Sequence, residues 1–124
     1  MRPLSPHIQI WKWSMNMALS ILHRASGIAN SIGLCVLVWM LAAAAMGPES
    51  YDVFHGFITS IVGQVLLFGW TGSLIFHMLT GIRHLIMDSG KMITIAGAER
   101  AGMVIFILAI TLTLALWGCV KFFY

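Results

Sequence analysis

Three long stretches without charge limit what this chain can become. No Asp, Glu, Lys or Arg occurs from Ala25 to Pro48, from Val53 to Ile82, or from Ala101 to Val120. A helix rises about 1.5 Å per residue, so each stretch can cross the roughly 30 Å of hydrocarbon in a bilayer. Hydrophobic residues make up 60% of the 124 and charged residues 9%, too few to clothe a soluble domain of this size. The pattern predicts an all-α membrane protein, a single transmembrane domain over 1–124. Its three transmembrane helices should span approximately 25–47, 55–86 and 99–121, after a short N-terminal segment. The second stretch is longer than one crossing needs, so it should tilt or protrude.

The connections carry the punctuation. "GPESYD" at 47–52 reads as a tight polar turn: Gly47 and Pro48 stop one helix, and Glu49, Ser50 and Asp52 suit the start of the next. "DSGKMITIAGAER" at 88–100 is the second connection, with Gly90 and Gly97 as breakers. Arg2, Lys12, Arg24, Arg83, Lys91 and Arg100 all fall at the N-terminal end or around that second connection, whereas the opposite side has only Lys121. The positive-inside rule then puts the N-terminus in the cytoplasm and the C-terminus in the periplasm. The start, "MRPLSPHIQIWKW", has neither the apolar core of a cleavable signal peptide nor the Arg- and Ser-rich character of a mitochondrial presequence. The expected location is therefore a bacterial inner membrane, ahead of the mitochondrial inner membrane.

Several chemistries lack their residues. Cys35 and Cys119 lie inside apolar runs, with no metal spacing and no sign of a disulfide. No nucleotide loop, nucleophile triad or flavin-binding fingerprint is present. The basic excess reads as membrane topology, with no nucleic-acid partner implied.

Polar side chains within a bilayer are costly and need partners. His77, in "LIFHMLTGIRHLIMD", is the clearest case. His84 follows seven residues later, on the same helical face and about 10.5 Å along the axis. Gly81 lies between them. A histidine, a missing side chain and a second histidine beside Arg83 suit a haem lying against the helix. His77 would bind the iron, Gly81 would leave room for the macrocycle, and Arg83 or His84 would meet the propionates. The alternative is a membrane histidine bonded to a neighbouring backbone group or hydroxyl. His77 and His84 cannot both ligate one iron from a single helix. His55 is about 33 Å from His77 by helix rise, and His23, near the edge of the first span, is not expected to reach the same iron, so a second axial ligand would come from another chain.

"SILHRASG" at 20–27 holds the other constellation. Ser20 and Arg24 are at i and i+4 and project from one face. Trp13, Ser20 and Gly27 are spaced by seven. If the helix starts near Trp13, this stripe suits an aromatic head group with carbonyl oxygens. An interfacial belt is the competing reading, with Trp11 and Trp13 as anchors and Lys12 and Arg24 snorkelling.

"RPLSPHIQIWKW", "SILHRASG" and "HMLTGIRHLIMD" together resemble the cytochrome b subunit of succinate dehydrogenase, its large membrane anchor. The resemblance covers essentially the whole chain, with the motifs in the family's order. S-x-x-H-R-x-[ST]-G and H-x-x-x-G-I-R-H are its specific elements. It implies half of a heterodimeric helix-bundle anchor, completed by a second three-span membrane subunit. An iron–sulfur subunit and a flavoprotein subunit would sit on that anchor. Succinate would be oxidised in the flavoprotein, with electrons passing to ubiquinone. A b-type haem would lie between the anchors, with one axial histidine from each.

By the same resemblance, His77 is the haem iron ligand. Ser20, Arg24, Trp13 and Ile21 match quinone contacts, and His23, Arg24 and His84 match positions near the haem propionates. Met87 stands where many members have an aromatic residue, and Met15 and Asn16 near where they have Leu-Pro. The expected function is a non-catalytic electron-transfer and quinone-binding subunit. The alternatives are the anchor of a quinol:fumarate reductase and a cofactor-free structural anchor.

Overall fold

The computed structural model of the chain describes residues 2–91 and 94–123. Its elements are helical: a short α1 (His7–Ile10), then α2 (Met15–Met46), α3 (Pro48–Thr59), α4 (Ile61–Asp88) and α5 (Ile95–Phe123). Three of them, α2, α4 and α5, are long and apolar enough to cross a membrane. With 32, 28 and 29 residues they extend well beyond the hydrocarbon layer.

α2 begins ten residues before the expected start of the first span. Ser14 caps it, its hydroxyl oxygen accepting the Met17 N–H at 3.4 Å. The charged and polar residues between Met15 and Ala25 do not end the helix, because they bond within it or to α4. α2 stops at Gly47, whose φ of +108° only glycine adopts readily. Pro48 then opens α3 with a φ already set for a helix, and Glu49 lies in the first turn.

The second uncharged stretch is not one helix over 55–86. It breaks at Ser60, whose hydroxyl donates to the Phe57 carbonyl at 2.6 Å and accepts the Gly63 N–H at 3.1 Å. Gly63 makes the corner possible: a Cβ there would run into the Phe57 carbonyl oxygen and the Ile58 backbone. The excess length is taken up by this corner, and α3 packs separately against α2 and α4. Gly63→Ala is expected to destabilise the chain by about 3 kcal/mol, the upper end for overpacking, because the obstacle is backbone. Thermal unfolding of the purified protein in detergent checks this; an unchanged midpoint would show that the corner opens freely.

α4 packs against both α2 and α5. The interior between them is built from small and polar residues: Ser26, Gly33, Thr80, Ala98, Gly102, Ala109 and Thr113 are buried. Leu19 and Arg83 are the large exceptions, and Leu19 seats where a Cβ on Gly102 would be. Trp70 lies over Gly33 in the same way. Leu, Ile and Val side chains such as Ile28, Leu41, Val65 and Ile107 face outward. In lipid this is the expected arrangement, since apolar side chains gain little by leaving hydrocarbon and close backbone approach drives packing. Hydroxyls in the interior bond to carbonyls of their own helix, as Thr113 does to Ala109 at 2.7 Å.

The N-terminal segment and the α4–α5 connection share one end of the bundle: Lys12 and Trp13 line a hollow with Glu99 and Arg100. The other end carries α3, and near it Lys121 donates to Gln64 at 2.9 Å. Cys35 and Cys119 are both free.

Candidate functional site

α2 and α4 bring His23, His77 and His84 together. The rings of His23 and His77 stack with centroids 4.0 Å apart and planes 9° from parallel. His84 lies on the other side of the cluster, 5.0 Å from His23. The seven-residue spacing of His77 and His84 thus delivers the shared face expected of it, and His23 reaches that face from α2. Thr80, wholly buried, holds two of the rings. Its hydroxyl oxygen is 2.6 Å from His23 Nδ1, and its carbonyl accepts from His84 Nδ1 at 2.7 Å. Around His77 Nδ1 stand the His23 carbonyl at 3.1 Å and Ser26 Oγ at 2.9 Å. One turn along α2, Ser73 on α4 donates to Asn30 Oδ1 at 2.8 Å and extends the polar seam.

Thr80→Val keeps the shape and removes the hydroxyl. It should leave the His23 ring N–H without its partner and lower stability by about 1–3 kcal/mol. The thermal midpoint of Thr80→Val against Thr80→Ser, which keeps the hydroxyl, separates that effect from packing.

Ser20 and Arg24 form a pair on the outer face of α2. The Arg24 guanidinium donates to Ser20 Oγ at 3.2 Å and to the Ser20 carbonyl at 3.4 Å. Ile21 beside them is half exposed. Trp13 does not share their helical stripe: α2 is capped at Ser14, so Trp13 precedes the helix and lines the hollow with Lys12, Glu99 and Arg100.

Arg83 is placed differently from its expected role beside the propionates. It is 5% exposed and turns between the helices, donating to Asn16 Oδ1 at 2.7 Å and to the Ala98 carbonyl at 3.1 Å. One residue is about 100° of helix, so sequence adjacency to His84 puts it on another face. His55 lies on α3, its ring 6.3 Å from that of Tyr51 and outside the cluster. Three participants escaped sequence reading: Ser26, Thr80 and Asn16. Only Ser26 had a signal, as the Ser/Thr position of S-x-x-H-R-x-[ST]-G.

Among the described residues no three His, Cys, Asp or Glu side chains are grouped to hold a metal ion by themselves. A haem brings four of its own nitrogens to iron, so it needs one imidazole from this chain and a surface to lie on. The cluster fits that need. His77 is held through Nδ1, which leaves Nε2, at the ring's edge, off the face that stacks on His23. Beside it Gly81 leaves open space, with nothing within 4 Å of where a Cβ would stand.

Three long apolar helices, two of them joined by a histidine cluster, make this an all-α, multi-pass membrane protein with an imidazole-rich polar site at one end of its bundle. The chain belongs to the succinate dehydrogenase/fumarate reductase transmembrane subunit family, whose model matches residues 1–116. Among relatives, it is 41% identical over 114 residues to the mitochondrial succinate dehydrogenase cytochrome b560 subunit of Sus scrofa. That match covers 88% of this chain and 66% of the relative, so the chain spans just under two thirds of that protein. It is 31% identical to the cytochrome b556 subunit of Paracoccus denitrificans, over 98% of this chain and 92% of the relative. The cytochrome b556 subunit of Rickettsia prowazekii is 33% identical, over 94% and 90% respectively.

Proposed function

We propose that this chain is the haem- and quinone-binding anchor of a succinate:quinone oxidoreductase, with no part in the chemistry of succinate itself. The observation that carries the reading is the gathering of His23, His77 and His84 at the end of the bundle that also bears Ser20 and Arg24. His77 holds the iron of a haem b, which when bound supplies a one-electron carrier inside the membrane. His23, His84 and Arg24 face its propionates. His84 is a turn or more away on the same helix, and His23 stacks flat on His77 with its Nδ1 held by Thr80, so any further ligand the haem takes would come from a second three-span anchor subunit.

Ubiquinone binds at Ser20 and Arg24. Arg24 already donates to Ser20 Oγ, which leaves the serine proton free to donate to a quinone carbonyl. The guanidinium, at the bundle's charged end, stabilises negative charge as the quinone gains electrons. Ile21 and, from the segment before the helix, Trp13 give the head group apolar walls. An iron–sulfur subunit docked at this end delivers electrons that a flavoprotein subunit takes from succinate. The six basic residues at this end support an orientation with the N-terminus in the cytoplasm, and the C-terminus in the periplasm, of a bacterial inner membrane; in a mitochondrion the same rule would put this end in the matrix.

The anchor of a quinol:fumarate reductase would use the same parts in the other direction, and the family description names both enzymes. Purification of the tagged chain from its own membranes tests the reading. A b-type spectrum with a flavoprotein and an iron–sulfur protein in the same complex is expected; a cofactor-free chain purifying alone would overturn it.

A further inference from the structure

We infer that Ser26 is a positioning residue for His77, fixing which ring nitrogen faces the iron and how strongly that nitrogen binds. The inference rests on the haem reading above and goes beyond it. Its basis is a three-membered ring of contacts. Ser26 Oγ donates to the His23 carbonyl at 2.7 Å. His77 Nδ1 lies 2.9 Å from Ser26 Oγ and 3.1 Å from that same carbonyl. A carbonyl only accepts, so Nδ1 carries the hydrogen. The serine proton is already given to the carbonyl, so its oxygen faces Nδ1–H as an acceptor. Both neighbours therefore demand the same tautomer, which leaves Nε2 with a lone pair. Ser26 is itself 8% exposed, so water does not compete readily for this contact.

The ring has little freedom to turn away. Gly27, the next residue, lets α2 lie close: a Cβ there would stand 3.2 Å from His77 Cε1. On its face the imidazole is stacked by His23, whose own orientation is held by Thr80. Thr80 repeats the device: its hydroxyl donates to the Phe76 carbonyl at 2.7 Å, so its oxygen accepts from His23 Nδ1. The ligand is thus preset before any haem arrives.

An acceptor on Nδ1–H makes Nε2 a stronger donor, which favours ferric over ferrous iron. Removing the Ser26 hydroxyl takes away the nearer of the two acceptors and leaves only the His23 carbonyl at 3.1 Å, so the haem midpoint potential should move to more positive values. The experiment is a redox titration of the haem band, with low-temperature EPR of the oxidised state, on the assembled complex carrying wild-type, Ser26→Ala or Ser26→Thr chains. Ser26→Ala is expected to retain haem with a more positive potential and shifted low-spin g values, and Ser26→Thr to restore both. Haem missing from Ser26→Ala but present in Ser26→Thr also supports the inference. A Ser26→Ala complex with wild-type potential and g values overturns it, as does loss of haem from both variants. A wild-type complex without b-type haem would sink the haem reading itself, and is seen before any variant is compared.

Discussion

A chain in which both His77 and His23 are replaced by alanine is expected to lose its b-type haem band entirely, and His77→Ala alone to lose the native form of that band. The distinction comes from geometry. His77 and His23 stack at 4.0 Å in nearly parallel planes, and each is hydrogen-bonded through Nδ1. Once His77 is gone, the nearest unused imidazole nitrogen is on His23, which can offer a substitute ligand in a displaced position. His84 is farther along the helix, and no protein-only metal cluster exists among the described residues to take its place. The check is a reduced-minus-oxidised spectrum with EPR on membranes holding each variant, alongside a measure of subunit assembly. If His77→Ala left band position and g values unchanged, His77 would not be the ligand.

The second large effect belongs to Arg24. Arg24→Ala should cut succinate–ubiquinone activity by about tenfold to a hundredfold, while succinate oxidation with a soluble artificial acceptor stays at the wild-type rate. A hydrogen bond to a charged group contributes about 1.5–3 kcal/mol, and each 1.36 kcal/mol is tenfold in rate. Arg24→Lys keeps the charge without the planar fork and should fall between the two. Ser20→Ala should lose less, since a neutral hydrogen bond contributes about 0.5–1.5 kcal/mol. Both assays run on the same membranes. Equal loss in the two would place Arg24 in assembly rather than at the quinone.

The three crossings were legible because lipid imposes one simple requirement, a long run without charge, and the sequence meets it openly. The boundaries were less so. Charges served as the expected edges of the first span, yet Arg24 bonds back to Ser20 within the helix and needs no break there. The corner at Ser60 has no proline or charge to announce it; Gly63 marks it, amid many other glycines. At the site, spacing by seven placed His77 and His84 correctly relative to each other. The same arithmetic, applied one residue over, would have turned Arg83 onto another face, where the structure gives it Asn16. That partner was unreadable, since 67 residues separate the two.

For His77 the sequence left two readings, a ligand or a histidine bonded to a neighbour. They are not exclusive. Nδ1 takes the neighbour, and Nε2 is left for the iron.

The interior of small residues inverts the usual direction of mutational damage. In a soluble core the dangerous change is truncation, which leaves a void where a large side chain stood. Here the large buried side chains are few, Leu19, Phe54 and Arg83, so truncation threatens only a handful of positions. At Gly33, Gly63 and Gly102 a single added methyl meets an indole, a backbone carbonyl or a leucine. Outward-facing leucines and isoleucines that meet lipid, away from Ile21 and from any partner subunit, can trade places with one another, since acyl chains accommodate either. The lineage of such a chain can drift in bulk where its outer faces meet only lipid, and is held to the smallest residues where helices touch.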